Sequence, residues 1–456
     1  MSNKYDLVIK NARLILSDGE VNGHLGISDG KIKAVLNTGL EISGVKEVDA
    51  AGRTVTPGGI DTHTHISWPY DGKTTVDSAE SASKVALLGG TTTVVDFVPP
   101  TDHENLQTAC INRVDELSSG IHVDFALHPI IAKYNDDARR SIPAIINDGF
   151  TSFKMYTTYE DRRIDDGDAW YLMKLIAENG GLPGFHAENH ELIASSLNEQ
   201  ERAHTLSIQD FAQSRPGLAE AEAIQMVSLY AKKLGCPVYI FHISGLEALN
   251  AVRAGRESGA QVIAETCTHY LVHDDSVFNG EDAWRFTITP PIRSTSDRQA
   301  LLTALRDNEI SCVGSDHCAY STIDKRSSLS DHRQIPAGAP GIEGRTVNLW
   351  SKSIHDLALT RQEFTHINSE RAAQVLGMSN KGKIAVGKDA DLVIWDEQKQ
   401  WSGSTLQRCS DETFNIYDQV HGTGLPHSVF LRGNMMVSNG DFVGDGFSGS
   451  FIRRSY

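Results

Sequence analysis

Between residues 57 and about 320 the chain alternates eight short β-type runs with segments that are mostly of helix length and amphipathic, and few folds accept that alternation. The runs read VTPGGIDTHTH, TTTVVDFV, VDFALHPII, FTSFKMY, LPGFHAE, PVYIFHIS, AQVIAETCTHY and ISCVGSDH. They are rich in Val, Ile, Phe and Thr and bounded by Gly, Pro or Asp. Strands of this kind separated by helices predict parallel βα units, and eight of them predict a closed α/β (β/α)8 TIM barrel. Catalytic groups of such a barrel sit at the carboxyl ends of its strands. The segment 217–234, GLAEAEAIQMVSLYAKKL, illustrates the helices: it spaces Ala221, Ile224, Val227, Leu229 and Ala231 near the helical period, with Gly235 and Pro237 ending it.

The flanks are different. Residues 5–55 and the stretches GKIAVGKDADLVIWD and HSVFLRGNMMVSNG hold short strands broken by turn residues and no helical period. The two chain ends are therefore expected to combine into one small β-sandwich domain. The expected boundaries are 1–56 for its first part, 57–378 for the barrel and 379–456 for its second part and tail. Residues 320–345 are polar and rich in Gly and Pro, and a loop of that length after the eighth strand is expected to cover the strand ends as a lid.

With 42 basic and 59 acidic residues the formal charge is −17, which argues against nucleic acid or an anionic membrane as partner. A neutral small molecule or a metal cation is the easier partner. No apolar stretch reaches the roughly 20 residues of a membrane span, and the start of the chain lacks a secretory signal pattern, so the expected location is cytoplasmic. The six cysteines, at 110, 236, 267, 312, 318 and 409, show no C-x-x-C spacing and read as reduced, mostly buried side chains. Cys318 is the one placed to line a pocket.

Six side chains at or just past the ends of the apolar runs can bind metal: His63 and His65, Lys154, His186, His242 and Asp316. His63 and His65 are two apart, so a strand presents both imidazoles on one face; the alternative is a pair of packed histidines at the barrel rim. Lys154 either snorkels to solvent or, as a desolvated neutral amine, takes up CO2 to form a carbamate able to bridge two ions. His186 and His190 stand four apart, a possible helical pair, but PGFHAE is strand-like and favours His186 alone. His242 is either a ligand or a core histidine, and Asp316 a ligand, a general base or a helix cap. A nitrogen and carboxylate set of this kind suits Zn, with Mn, Co or Fe as alternatives. Two divalent ions so held would lower the pKa of a shared water from roughly 15.7 to about 7, supplying a nucleophile without Ser or Cys. Neither a G-x-S-x-G elbow nor a phosphate-binding G-x-x-x-x-G-K-[ST] loop occurs.

The ordered set H-T-H, strand Lys, His, His, Asp, with SRPGLAEAEAI, AETCTHYL, ITPPIR, GSDHC and PGIEGR, resembles the cyclic amidohydrolases of the amidohydrolase superfamily, in the D-hydantoinase and dihydropyrimidinase branch. The resemblance implies His63, His65 and Asp316 on a buried metal, His186 and His242 on an exposed one, and carboxylated Lys154 between them. It implies that Tyr159, five residues after the lysine, hydrogen-bonds the oxygen that becomes negative during attack; the alternative is an exposed loop aromatic. It gives Asp316 the further task of orienting the hydroxide and passing its proton to the leaving nitrogen. Substrate contacts would come from main-chain groups at Thr289-Pro290-Pro291 and Ile335-Pro336-Ala337-Gly338, where Ala337 departs from the family's Asn. Trp68, Pro69 and Tyr70 either wall the pocket or pack at its rim. The implied activity is a binuclear metal-dependent opening of a hydantoin or 5,6-dihydropyrimidine to an N-carbamoyl amino acid, by a homotetramer. Allantoin or a cyclic imide is the nearest other substrate, and a non-enzymatic scaffold relative is the other class.

Overall fold

The computed structural model describes residues 5–70, 72–100 and 104–455. Its centre is eight parallel strands: Gly59–Thr64, Thr91–Val98, Asp124–Pro129, Ser152–Tyr156, Leu182–His186, Pro237–Ile240, Gln261–Cys267 and Cys312–Gly314. The first three pair in order, as do the last five. Parallel bridges from Ile130 to Lys154 and from Thr64 to His317 join these two arcs at both ends, so the ladder closes into a ring. The chain has the expected (β/α)8 barrel.

The strands read as nearly continuous apolar runs because both faces are covered. Alternate residues divide between two cores: Val95, Phe97, Ala126, Tyr239 and Phe241 fill the barrel interior, while Val94, Val98, Phe125, Leu127 and Val238 meet the surrounding helices. The helix Gly217–Leu234 has the expected limits, with Gly235 left-handed at φ 66° as its cap. Leu229 is a correction: it is 62% exposed, because the buried stripe runs through Ala221, Ile224, Val227 and Ala231 and Leu229 falls on the opposite side.

The first β-type run is divided between two sheets. Thr54–Pro57 leaves the barrel and pairs antiparallel with Leu392–Ile394, whereas the barrel strand begins at Gly59. Between them the chain passes so close to Thr92 that a Cβ on Gly58 would lie 2.0 Å from its Oγ1. Thr54–Pro57 belongs to a nine-stranded sheet built from both chain ends, running from Tyr5–Leu16 near the start to Asp441–Phe442 near the finish. That sheet carries its own core of Leu7, Ile9, Leu14, Ile27, Leu392 and Phe430.

Residues 320–345 are more ordered than a bare loop. They contain the helical turn Thr322–Lys325, a 3-10 turn at His332–Gln334 and the start of the helix Ile342–Ser351. Lys325 is fully buried and organises the segment: its Nζ donates to Thr287 O at 3.0 Å, Pro336 O at 3.0 Å and Gly338 O at 2.8 Å, and also to Thr287 Oγ1. The amine thus satisfies carbonyls that no sheet or helix takes up, and burial lowers its pKa to about 7. Among the described residues no helix is long and apolar enough to cross a membrane. All six cysteines are free and buried.

Candidate metal centre and active site

The closed ring brings the six candidate ligands together. His63 is in the first strand and His65 just past it, and Lys154 lies inside the fourth strand. His186 ends the fifth strand, while His242 and Asp316 each lie two residues beyond theirs. Five of them, His65, Lys154, His186, His242 and Asp316, line one cavity of about 210 Å³. His63 is wholly buried against this group. Three residues here have left-handed backbone: His242 at φ 39°, Asp316 at φ 50° and Tyr159 at φ 73°. Non-glycine residues rarely hold that conformation, and the surrounding packing must impose it.

His63 Nε2 lies 3.0 Å from Asp316 Oδ1, 3.3 Å from His65 Nε2 and 3.0 Å from Lys154 Nζ. His65 Nε2 is 3.3 Å from the same Asp316 oxygen. On its other side His63 Nδ1 meets Glu265 Oε1 at 2.7 Å. A carboxylate only accepts, so Nδ1 carries a proton toward Glu265; against burial and the nearby Lys154, the Asp316 and Glu265 carboxylates raise the His63 pKa, and a cation between Nε2 and Asp316 would take the place of a proton on Nε2. Glu265 is held in turn by Thr62 Oγ1 at 2.6 Å, Tyr239 Oη at 2.8 Å and the His242 amide at 3.2 Å.

The second half of the site repeats this pattern. His186 Nε2 donates to Glu188 Oε2 at 2.6 Å, leaving Nδ1 as its free ligand atom. Glu188 is fully buried and also accepts from Arg215 Nε at 3.0 Å and from its Nη2. The His186 and His242 rings stand 4.5 Å apart, centroid to centroid, and His63 and His242 5.2 Å. Nδ1 of His65 and of His242 are buried with no hydrogen-bond partner among the described residues.

These features suit a cation. Burial pushes His65 down to about 3 and His186 to about 4, so both are neutral imidazoles at physiological pH, the form that binds metal. His63, His65 and Asp316 offer three ligand atoms within 4.8 Å of one another. Lys154 is buried over the faces of Phe97 at 4.2 Å, Phe241 at 4.9 Å and Tyr156 at 5.3 Å, and burial lowers it to about 8. Among the described residues it forms no ion pair with a carboxylate within 4.0 Å, an unusual condition for a buried lysine.

Tyr159 Oη is 2.7 Å from Thr289 Oγ1, and its ring packs 5.2 Å from His186. Burial raises its phenol, which stays protonated and able to donate. Tyr159, Thr289, Ala337, Trp68 and Cys318 all line the cavity. Tyr70 does not. It stacks edge-on behind Tyr320, which takes the wall position, and its hydroxyl donates to Asp324 Oδ2 at 2.8 Å. The anchoring residues Glu265, Glu188 and Arg215, and the wall residues Arg162, Tyr156 and Tyr320, carry no role in the sequence reading. The available signal was a Glu inside an apolar strand in AETC and another two residues after a candidate ligand in HAEN. Buried carboxylates require partners, and metal-binding imidazoles supply them.

Residues 54–440 match the amidohydrolase family. The chain is 34% identical to a D-hydantoinase of Geobacillus stearothermophilus, over 98% of this chain and 96% of that protein. It is 29% identical to a dihydropyrimidinase of Rattus norvegicus, over 100% of this chain and 90% of that protein. A solved D-hydantoinase structure superposes with a TM-score of 0.94 at 31% identity, covering 99% of both chains. The L-hydantoinase (dihydropyrimidinase) of Arthrobacter aurescens superposes with a TM-score of 0.89 at 26% identity, over 99% of this chain and 100% of that one.

Proposed function

The chain belongs to the amidohydrolase family, and from that premise we propose that it is a metal-dependent hydrolase that opens a cyclic amide, a hydantoin or 5,6-dihydropyrimidine, to an N-carbamoyl amino acid. One observation carries the reading: ligand-type side chains from five strands converge on one cavity, with the His65 and His186 imidazoles neutral. His63, His65 and Asp316 would hold one divalent ion, His186 and His242 a second, and Lys154 would bridge as its carbamate. A neutral amine and CO2 give that anion and a proton, and the absence of a carboxylate partner for Lys154 supports the assignment. Zn best suits the donor set, with Mn, Co or Fe next. Ions held there would supply Lewis acidity toward the amide carbonyl and would lower the pKa of water to about 7.

The chain's own residues do the rest. Asp316 orients the attacking water, takes its proton and hands it to the leaving ring nitrogen. Tyr159 donates its hydroxyl to the carbonyl oxygen as charge develops there, and Thr289 Oγ1 at 2.7 Å fixes the phenol's direction. Main-chain groups at Thr289 and Ala337 would grip the ring, with Lys325 holding the segments that carry them. We further assign a cytoplasmic homotetramer, as the family resemblance and the sequence reading suggest. The test joins metal quantification to a ring-opening panel of hydantoin, dihydrouracil, allantoin and a cyclic imide. Two ions per chain and opening of hydantoin or dihydrouracil are expected; opening of allantoin or the imide alone overturns the substrate assignment.

A further inference from the structure

Resting on the cyclic-amide reading, we propose that the pocket selects rings bearing a short acidic substituent and that Arg162 is the residue that selects them. The cavity wall away from the ligand set is mainly aromatic or small, as at Trp68, Tyr156, Tyr320 and Cys318, with one strong exception. Arg162 also lines it, a permanent cation belonging neither to the ligand set nor to the groups that anchor it.

The guanidinium is positioned by stacking. Its central carbon lies 5.8 Å from the Tyr156 ring centroid and 5.7 Å from that of Tyr159, so it sits beside the phenol assigned to the reacting carbonyl. Nε and Nη2 both donate to Asp161 Oδ2, at 3.0 and 2.6 Å. A guanidinium carries five N–H donors, so about three remain beyond the Asp161 pair. A carboxylate is the acceptor that uses such a fork best.

The neighbouring arginine sharpens the assignment. Arg215 also packs on Tyr159, at 5.2 Å, but it is buried and held by the fully buried Glu188, so its charge is spent inside the protein. The counter-ion of Arg162, Asp161, is 65% exposed and Arg162 itself 31%. A pair so open to water is weak and exchanges readily for a better-placed carboxylate. The net charge of −17 opposes an anion only at long range, because salt screens exposed charges beyond about 8–10 Å. Within the pocket Arg162 decides. The cavity of about 210 Å³ has room for the ring and a short arm.

The experiment compares two isosteres, hydantoin-5-acetic acid and hydantoin-5-acetamide, by kcat/KM with the metal-loaded enzyme. The acid should be preferred about tenfold, the size of one charge-assisted hydrogen bond at a part-exposed site. R162Q should bring the ratio to near one, chiefly through KM for the acid, and R162K should fall between. Equal or faster opening of the amide by the wild type, or an unchanged ratio in R162Q, overturns the role of Arg162 while leaving the hydrolase reading intact. Failure to open either compound, together with hydantoin and dihydrouracil, overturns both.

Discussion

Replacing Glu188 by leucine separates what that carboxylate does for the metal from what it does for the fold. Its Oε2 accepts from both His186 Nε2, at 2.6 Å, and Arg215 Nη2, while its Oε1 accepts from Arg215 Nε at 3.0 Å. Without the acceptor, His186 loses the bond that keeps its proton on Nε2 and its Nδ1 free. Removing a carboxylate that orients a metal-binding imidazole costs 10–100-fold in metal affinity, or about 1.4–2.7 kcal/mol. The same change leaves a buried guanidinium without its counter-charge, which costs about 3–5 kcal/mol of folding stability. E188L should therefore weaken metal binding and lower the melting temperature together. The double variant E188L/R215M removes both charges and substitutes apolar bulk, so stability should largely return while affinity stays 10–100-fold down. Chelator competition reads the affinity, and thermal unfolding of the metal-free protein reads the stability. Wild-type metal affinity in the double variant would refute the reasoning, because Glu188 would then be acting only as the partner of Arg215.

Lys154→Ala should leave fewer than two ions per chain by elemental analysis and reduce turnover by more than about 100-fold, since a lost bridging ligand costs more than a lost outer partner. Tyr159→Phe keeps the ring stacking but removes the donor, and should lower kcat by about 10²–10³ with metal content unchanged. The metal-free protein should lose stability as pH falls below about 6.5. His65 and His186 have folded-state values near 3 and 4 because burial opposes their charged forms, so below 6.5 the unfolded chain binds protons that the folded chain refuses. The contribution is complete above 6.5 and declines by about 1.4 kcal/mol per pH unit for each histidine down to its folded value, measurable as melting temperature against pH. A flat profile between pH 6.5 and 4.5 would contradict the burial of both rings.

Much of the site was legible because its ligands are tied to local pattern. A short, nearly continuous apolar run ending in His or Asp identifies a strand end, and the His63/His65 spacing follows from strand geometry alone. Leu229 and the choice between wall and rim for Tyr70 lie beyond that pattern for the complementary reason. The helical period leaves open which of two adjacent apolar residues faces inward, and adjacency to a ligand does not place a side chain on the cavity wall. Leu229 turns to solvent, and Tyr320, 250 residues from Tyr70, takes the wall.

By itself the chain's order of residues determined the barrel, the parallel direction of its strands and the ligand candidates, since each depends on short-range periodicity and on the covering of both strand faces. Folding alone decided what holds those ligands in place: Glu265 on His63, 202 residues away, Glu188 between His186 and Arg215, and Lys325 among the oxygens of Thr287, Pro336 and Gly338. A buried charge must find its partner wherever the closed ring brings one, and that meeting depends on which strand ends come to lie side by side. No local pattern records it.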